Sequence, residues 1–462
     1  MRLWLLLLAT GCASAQFKEN TIRSEVLKAH VGFLASDALE GRNTPSRGLD
    51  AAAEYISGRF LELGLKPVGD DGYFQTETWT VSTPNLEGFR LTVRAGERSV
   101  SFTRDFVDLE PSGAVRMADR EARKVSWTEA LALKANLAGG VWIVELPDSF
   151  GREATRAYRT FMADVAEHKP ALVILAGTAA PPRRQPREPL VPVVRVREVG
   201  PLLQLPEHRV TAVISPARQE QTKVRNVVGL LEGRNRKLKD TYVMVSAHYD
   251  HLGLAAPSAK DRVYNGANDN ASGVAGVIEI AAAISHHRRR PRRSVLFVAF
   301  FGEEKGLLGA RYYVAHPLVP LAKTVAMLNF EQLGRTDSSE GANVGMVNLT
   351  GFDFSNVKGW LQRAGQKTGV KLVKNEKFSD QFFTASDNAA LAQAGVIAHT
   401  LSVTYAFPDY HQPGDETAKI DFPNMARVVR MIGTGISLIA NDRIAPAWDI
   451  ANPKTEPYRK AK

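Results

Sequence analysis

The sequence predicts an α/β fold: a mostly parallel mixed sheet with helices on both faces, plus a smaller inserted β-rich α/β module. Three observations predict it. Beyond Asn226, near-continuous apolar strands alternate with helices. From about Leu86 to Lys223 the texture changes to short alternating strands. Histidines and carboxylates gather where the apolar strands run out into loops, the end at which open α/β sheets place their sites. A chain of 462 residues also exceeds what one hydrophobic core usually serves, so a main domain with a smaller companion is expected.

In chain order, residues 1–15 read as a signal peptide, with a basic start at Arg2, an apolar run from Leu3 to Ala9, and small residues Ala13-Ser14-Ala15 before Gln16. The apolar run is too short to span a bilayer permanently, so export to the periplasm or the extracellular space is expected, with no transmembrane segment. A rival reading takes Ala9-Thr10-Gly11-Cys12 as a lipoprotein signal with a lipid anchor at Cys12, although Ala9 stands where such signals usually carry Leu. Cys12 is the only cysteine. Cleavage before Gln16 therefore leaves no disulfide and no Cys-ligated zinc.

Residues 16–85 supply the N-terminal helical part of the catalytic domain. Helix is expected over Thr21 to Leu65, on apolar positions that include Val31, Phe33, Leu34, Ile56, Phe60 and Leu61, with an interruption at Gly41-Arg42-Asn43-Thr44-Pro45. Residues 86–223 read as an inserted non-catalytic module, with strands at Leu91 to Arg94, Val141 to Val144 and Ala171 to Leu175, and an amphipathic helix at Ala154 to His168. Residues 224–445 then alternate. Strands are expected at Tyr242 to Ala247, Val295 to Phe301, Val325 to Phe330 and Val396 to Leu401, and helices at Gly273 to Ser285, Leu307 to His316, Val357 to Thr368, Asn388 to Ala394 and Pro423 to Ala440. Residues 446–462 form a tail.

Hydrophobic residues at 44% and charged residues at 23% are those of a globular protein rather than a disordered or polytopic one. The net charge of +10 is concentrated in His286 to Arg293, around Arg183-Arg184 and in the tail. The first cluster lies between a helix and a strand and reads as a solvated turn, so no nucleic-acid partner is expected.

Imidazole and carboxylate are the ligands that borderline and hard divalent ions accept, and His248, Asp269, Glu304, Glu331 and His411 supply both types. Five ligands complete two sites only if one carboxylate bridges. Asp269, short and held in the tight loop Gly266 to Asn270, is the expected bridge between two divalent ions. Glu303 and Glu304 are adjacent, so their side chains diverge as they leave a strand. Glu304 is read as a ligand and Glu303 as the general base, taking a proton from the attacking water and passing it to the leaving amine. Asp250 is expected to accept the second ring N–H of His248 and fix its tautomer. His251 is read as a hydrogen-bonding loop residue and His399 as a satisfied core histidine; His30, His168, His208 and His316 read as solvated. No Gly-x-Ser-x-Gly elbow, His-Glu-x-x-His helix or phosphate loop is present, which narrows the mechanism to metal-activated water.

The motifs Ala247-His248-Tyr249-Asp250-His251-Leu252-Gly253, Asn268-Asp269-Asn270-Ala271-Ser272-Gly273, Phe301-Gly302-Glu303-Glu304 and Tyr410-His411-Gln412-Pro413 with Asp415 resemble those of the co-catalytic zinc aminopeptidases and carboxypeptidases of metallopeptidase family 28. Asn226-Val227-Val228-Gly229 and the entry from Phe33 to Pro67 resemble its secreted bacterial members. The resemblance implies a zinc exopeptidase fold and the same metal roles, with Glu303 as catalytic base. It also implies that the insert is similar to a protease-associated domain, a module that often caps or restricts such sites. Two departures stand out. Glu331 occupies a position where many relatives carry aspartate, and Asn388 follows Ser386-Asp387 where the family motif usually continues with His.

The expected activity is that of a secreted two-zinc aminopeptidase, a hydrolase acting on peptide substrates. The alternatives are a carboxypeptidase or dipeptidase of the same fold, with Arg335 as candidate receptor for the substrate carboxylate, a non-catalytic metal- or peptide-binding protein, and a one-metal glutaminyl cyclase-like transferase.

Overall fold

The computed structural model describes residues 22–179, 181, 188–197, 207–255, 259–338 and 341–459. The signal-peptide reading of residues 1–15, Cys12, Arg183-Arg184 and the last three residues of the tail lie outside them. No described helix is long and apolar enough to cross a membrane. The chain divides into two compact units, with boundaries at Glu77/Thr78 and Thr222/Lys223. The first boundary lies upstream of the residue 86 read from the sequence. An unbroken strand, Phe74–Thr83, runs across it, so composition carries no mark of the division.

In the larger unit the expected N-terminal helix is broken into pieces. Helix α1 (Ser24–Leu34) buries Leu27, His30, Val31 and Leu34, one face of a helical turn repeat. A 3-10 segment, Asp37–Arg42, turns the chain through left-handed Glu40 and Gly41. Helix α2 (Arg47–Glu62) starts where the Ser46 hydroxyl accepts the Leu49 N–H at 3.1 Å. Phe33 and Leu61 fall off the buried stripe and are exposed, Phe33 stacking on Tyr55 with ring centroids 4.2 Å apart. His30, read as solvated, is buried, with Nδ1 2.7 Å from the Tyr55 hydroxyl and Nε2 3.3 Å from Glu279. His208 is buried as well.

The sheet is built from β1 (Phe74–Thr83), β2 (Arg218–Leu231), β3 (Tyr242–His248), β4 (Ser294–Phe300), β5 (Thr324–Glu331), β6 (Met346–Leu349) and β7 (Ala398–Ser402), with short strands at Lys66–Pro67 and Lys371–Val373. Among the described residues its nine strands follow the order Lys66–Pro67, β2, β4, β3, β5, β7, β6, Lys371–Val373, with β1 paired to β2. β4, β3, β5 and β7 run parallel, and β2 and β6 flank them antiparallel. Every residue of β4 and β5 is buried, which is why those strands read as continuous apolar runs.

Helices cover both faces. Ala310 and Tyr313 of α4 (Leu308–Ala315) and Ala390 and Leu391 of α6 (Asn388–Gln393) pack on Met244, Leu296, Val298 and Met327. On the other face α3 (Ser272–Ser285) and α7 (Phe422–Asn441) meet at Gly276, beside Phe330, Leu333 and Val429, and α5 (Val357–Thr368) packs on α7.

The smaller unit has its own core. Among the described residues its sheet has eight strands, in the order Arg98–Phe102, Arg90–Ala95, His208–Ile214, Val115–Val125, Val141–Glu145, Leu172–Ala176, Val193–Val196, Val107–Leu109. Period-2 alternation sends Ile143, Ile174 and Val194 to one face. Trp142, Val144 and Val173 go to the other, under Tyr158, Phe161 and Val165 of the helix Arg152–His168.

Candidate metal centre

The five predicted ligands come together at the carboxyl ends of the parallel strands. His248 is the last residue of β3 and Glu331 the last of β5. Glu303 and Glu304 follow β4 in a 3-10 turn, Glu303–Lys305, so it is the turn's rotation rather than strand alternation that parts their side chains. Asp269 lies in the irregular turn Ala267–Ala271 before α3. His411 stands in the loop after β7, with φ 57° and its ring stacked on Tyr410 at 3.9 Å.

His248 Nε2 is 3.4 Å from Asp269 Oδ1 and 3.2 Å from Glu331 Oε2. His411 Nε2 is 3.2 Å from Asp269 Oδ2 and 3.3 Å from Glu304 Oε2. Asp269 thus turns one oxygen to each histidine. These separations are longer than charge-assisted hydrogen bonds. They match the edge of a tetrahedron with metal–ligand bonds near 2.0–2.1 Å, about 3.3 Å. By the same measure the 2.8 Å contact of His251 Nδ1 with Glu304 Oε1 is a hydrogen bond rather than an edge around a shared ion. His251 Nε2 is buried and has no partner, and His251, Asp269 and Glu304 also lie close enough to share an ion.

The electrostatics agree with a cation-binding centre. Seven carboxylates converge: Asp250, Asp269, Glu303, Glu304, Glu331, Asp387 and Asp415. Both oxygens of buried Asp387 and one of Asp250 lack a hydrogen-bond partner. Buried negative charge on this scale requires positive counter-charge. Burial alone would push the His248 imidazole down, yet Glu331 and Glu303 hold it well above its ordinary value. His411 is likewise raised to about 10, its burial outweighed by Asp269 and Glu304. Glu303 is pushed well up by burial, with Glu331, Asp387 and Glu304 adding to it against His248.

Asp250 differs from expectation. His248 Nδ1 lies 3.1 Å from the main-chain carbonyl of Asp250, and the Asp250 carboxylate is 3.7 Å away. The carboxylate instead accepts the Glu303 main-chain N–H at 3.0 Å, so Asp250 orients His248 through its backbone and the Glu303 turn through its side chain.

Other residues hold the ligand loops. Asp415 accepts the N–H groups of Asn268 and Asp269 at 3.0 and 2.9 Å. The Asn268 side-chain carbonyl accepts from Gly334 and Arg335, and the Asn270 side-chain amide donates to Phe330 O at 2.7 Å, tying the Asp269 turn to the end of β5. Gly266 is required: at φ +58°, an added Cβ would sit 2.2 Å from Asp269 O. Ser386 donates to Glu331 Oε1 and receives Asn329 Nδ2 at 2.9 Å, which gives the Ser386-Asp387 motif its contact with the site.

Arg42, fully buried, donates to the carbonyls of Leu34, Tyr249, Asn265 and Gly266; burial lowers its pKa to about 10 against the raising field of Asp250, Asp415, Asp269 and Glu304. Sequence reading missed it because its partners Tyr249, Asn265 and Gly266 lie more than two hundred residues away along the chain. Arg335 is committed to Asp337 and Asp409 and lies over Phe407, so it braces the His411 loop and is not a free receptor for a substrate carboxylate. His399 is buried, with Nδ1 2.8 Å from Thr350 O and Nε2 2.7 Å from the Ser355 hydroxyl.

Comparison with known proteins points the same way. Residues 226–435 match the model of peptidase family M28. The chain is 32% identical over 118 residues to a probable zinc metalloprotease of Pyrenophora teres f. teres, covering 26% of this chain and 24% of that one. It is 27% identical over 197 residues to aminopeptidase YwaD of Bacillus subtilis, covering 42% and 40%. The chain thus spans about a quarter of the length of the first curated relatives it matches. Among solved structures, an aminopeptidase from Aneurinibacillus sp. strain AM-1 superposes with TM-score 0.56 at 18% identity over 91% of this chain and 95% of that one. BSAP, a zinc aminopeptidase from Bacillus subtilis, does so with TM-score 0.57 at 18% identity over 95% and 98%, likenesses that concern the fold. All five candidate ligands and the adjacent Glu303 fall inside residues 226–435, the segment that matches the model of peptidase family M28.

Proposed function

We propose that the protein is a two-zinc aminopeptidase that removes N-terminal residues from peptides. The observation that carries this is the lining of the cleft beside the centre. Its charged lining consists of His248, Asp269, Glu303, Glu331 and His411, with no Lys or Arg among the described lining residues. A free ammonium finds carboxylates there. A free carboxylate finds no Lys or Arg side chain, since Arg335 is already engaged. Phe382, Ala385, Tyr405 and Tyr410 provide an apolar wall for the first side chain.

His248, Asp269 and Glu331 would hold one ion and Asp269, Glu304 and His411 the other. When bound, two zinc ions supply an acidified water and a polarised scissile carbonyl. Glu303 lines the cavity beside them and acts as the base, taking a proton from water and returning it to the leaving amine. Asp250 holds the main chain of Glu303, and Ser386 holds Glu331. Export through the 1–15 segment, and a protease-associated-like identity for the unit spanning Thr78–Thr222, belong to the same proposal.

The test is mass spectrometry of matched peptides with free or acetylated N-termini, incubated with the zinc-loaded protein and with a chelator. Chelator-sensitive loss of N-terminal residues from the free peptides alone is expected. C-terminal shortening of both sets would replace the proposal by a carboxypeptidase. Glu303→Gln should keep both zinc ions and lose at least about 100-fold in turnover; retained activity would remove Glu303 as the base.

A further inference from the structure

The opposite ends of the same strands carry a concentration of positive charge that the reaction does not use. Loop 232–240 precedes β3 and loop 286–293 precedes β4, and main-chain bonds join the two: Arg234 N donates to Pro291 O at 2.9 Å and Asn235 N to Arg292 O at 3.3 Å. Arg234 Nε donates to Arg290 O at 2.7 Å. The end of α7 closes on them, Arg293 donating through N–H to Ala440 O at 2.9 Å and through its guanidinium to Arg443 O at 3.3 Å. These loops and residues 441–445 contain ten Lys and Arg against three Asp and Glu. Glu232 is taken by Lys239, and Asp442 accepts from Trp360. Among the described residues no ion pair holds Arg288, Arg289 or Arg290, all exposed, and Arg234, Arg236 and Lys237 are exposed beside them.

Cations fixed this close repel one another and weaken the folded state unless an anion neutralises them. The field is felt inside the cluster, where Arg234 is lowered by partial burial and then by Arg289 and Arg292. Next to Arg443, Ile444 is 68% exposed. The three segments contain no Phe, Tyr or Trp to stack on bases, and apart from Asn441, the last residue of α7, they lie outside the helices and strands that could enter a groove. A protruding aliphatic beside unpaired guanidiniums instead suits a bilayer interface, where phosphate headgroups meet acyl chains. We propose that this face docks the protein on a membrane surface rich in anionic lipid. β3, of 7 residues, separates the cluster from His248 by on the order of 20 Å, so the metal centre of a docked molecule faces water.

Co-sedimentation of the mature zinc-loaded protein with vesicles of phosphatidylcholine alone, or mixed with phosphatidylglycerol, tests this. Binding should appear with the mixed vesicles and weaken as salt is raised. Arg288→Glu combined with Arg289→Glu and Arg290→Glu should weaken it roughly 100-fold, at about fivefold per cation lost. Melting temperature should not fall, since the substitutions relieve the repulsion among the cations, and hydrolysis of a short soluble peptide should not change. Ile444→Ser should weaken partitioning and leave its salt dependence intact. Equal binding to both vesicle types, or undiminished binding by the triple variant, would overturn the proposal. So would binding of duplex DNA, sensitive to the same variant, without binding to vesicles.

Discussion

Replacing Asp415 by alanine should loosen the candidate metal centre without touching a candidate ligand. The Asp415 carboxylate accepts the main-chain N–H groups of Asn268 and Asp269, both buried, at 3.0 and 2.9 Å. Alanine leaves both amides without an acceptor, at about 1–3 kcal/mol each. The apo protein should therefore lose about 2–6 kcal/mol, a large fraction of a typical domain stability of about 5–15 kcal/mol. Burial pushes the Asp415 carboxyl up to about 6, although the two N–H groups draw it down, so part of the loss is recovered by removing a buried charge. The effect on the ions is separable. Asp269 must present one oxygen to each histidine, and loosening such a support lowers metal affinity by about 10–100-fold. At saturating zinc a 100-fold weaker affinity reduces the zinc-induced stabilisation by about 2.7 kcal/mol. Thermal unfolding with zinc and with chelator, alongside zinc competition against a chelating dye, measures both quantities. Asp415→Asn, which keeps one acceptor oxygen, should fall between wild type and alanine. An alanine variant with wild-type zinc affinity and an unchanged zinc-induced shift would refute the reasoning, because the turn would then hold Asp269 without the carboxylate.

Glu331→Asp withdraws the carboxylate from both Ser386 and His248, so one zinc should bind about 10-fold more weakly while the other is retained, as metal titration will read. His399 is buried with its neutral imidazole hydrogen-bonded at both nitrogens, and burial lowers it from 6.5 to about 4. The unfolded chain therefore binds this proton first, and stability that is full above pH 6.5 falls by about 3 kcal/mol as the pH drops toward 4. Denaturant unfolding across that range should show a shallower slope in His399→Gln; parallel slopes would mean the ring is protonated in the native state.

The continuous apolar strands and amphipathic helices of the larger unit were legible because burial on both faces of a parallel sheet imposes a local pattern. So was the ordering of His248, Asp269, Glu303, Glu304, Glu331 and His411, since α/β connectivity delivers strand ends to one side. The break between α1 and α2 was marked by Gly41, but the reason for it was not, because Arg42 turns there to reach Tyr249, Asn265 and Gly266. A buried cation satisfied by distant carbonyls leaves no periodic trace. For the same reason Asp415 read only as part of a motif, Arg335 stood as a candidate receptor under the carboxypeptidase alternative although Asp337 and Asp409 occupy it, and His30 read as solvated although it is buried. The sequence by itself determined which chemistry the chain offers and on which strand ends it stands, because residue type and period are local properties. Only the tertiary structure decided which oxygen faces which histidine and what holds each loop in place, because those contacts join residues from different elements.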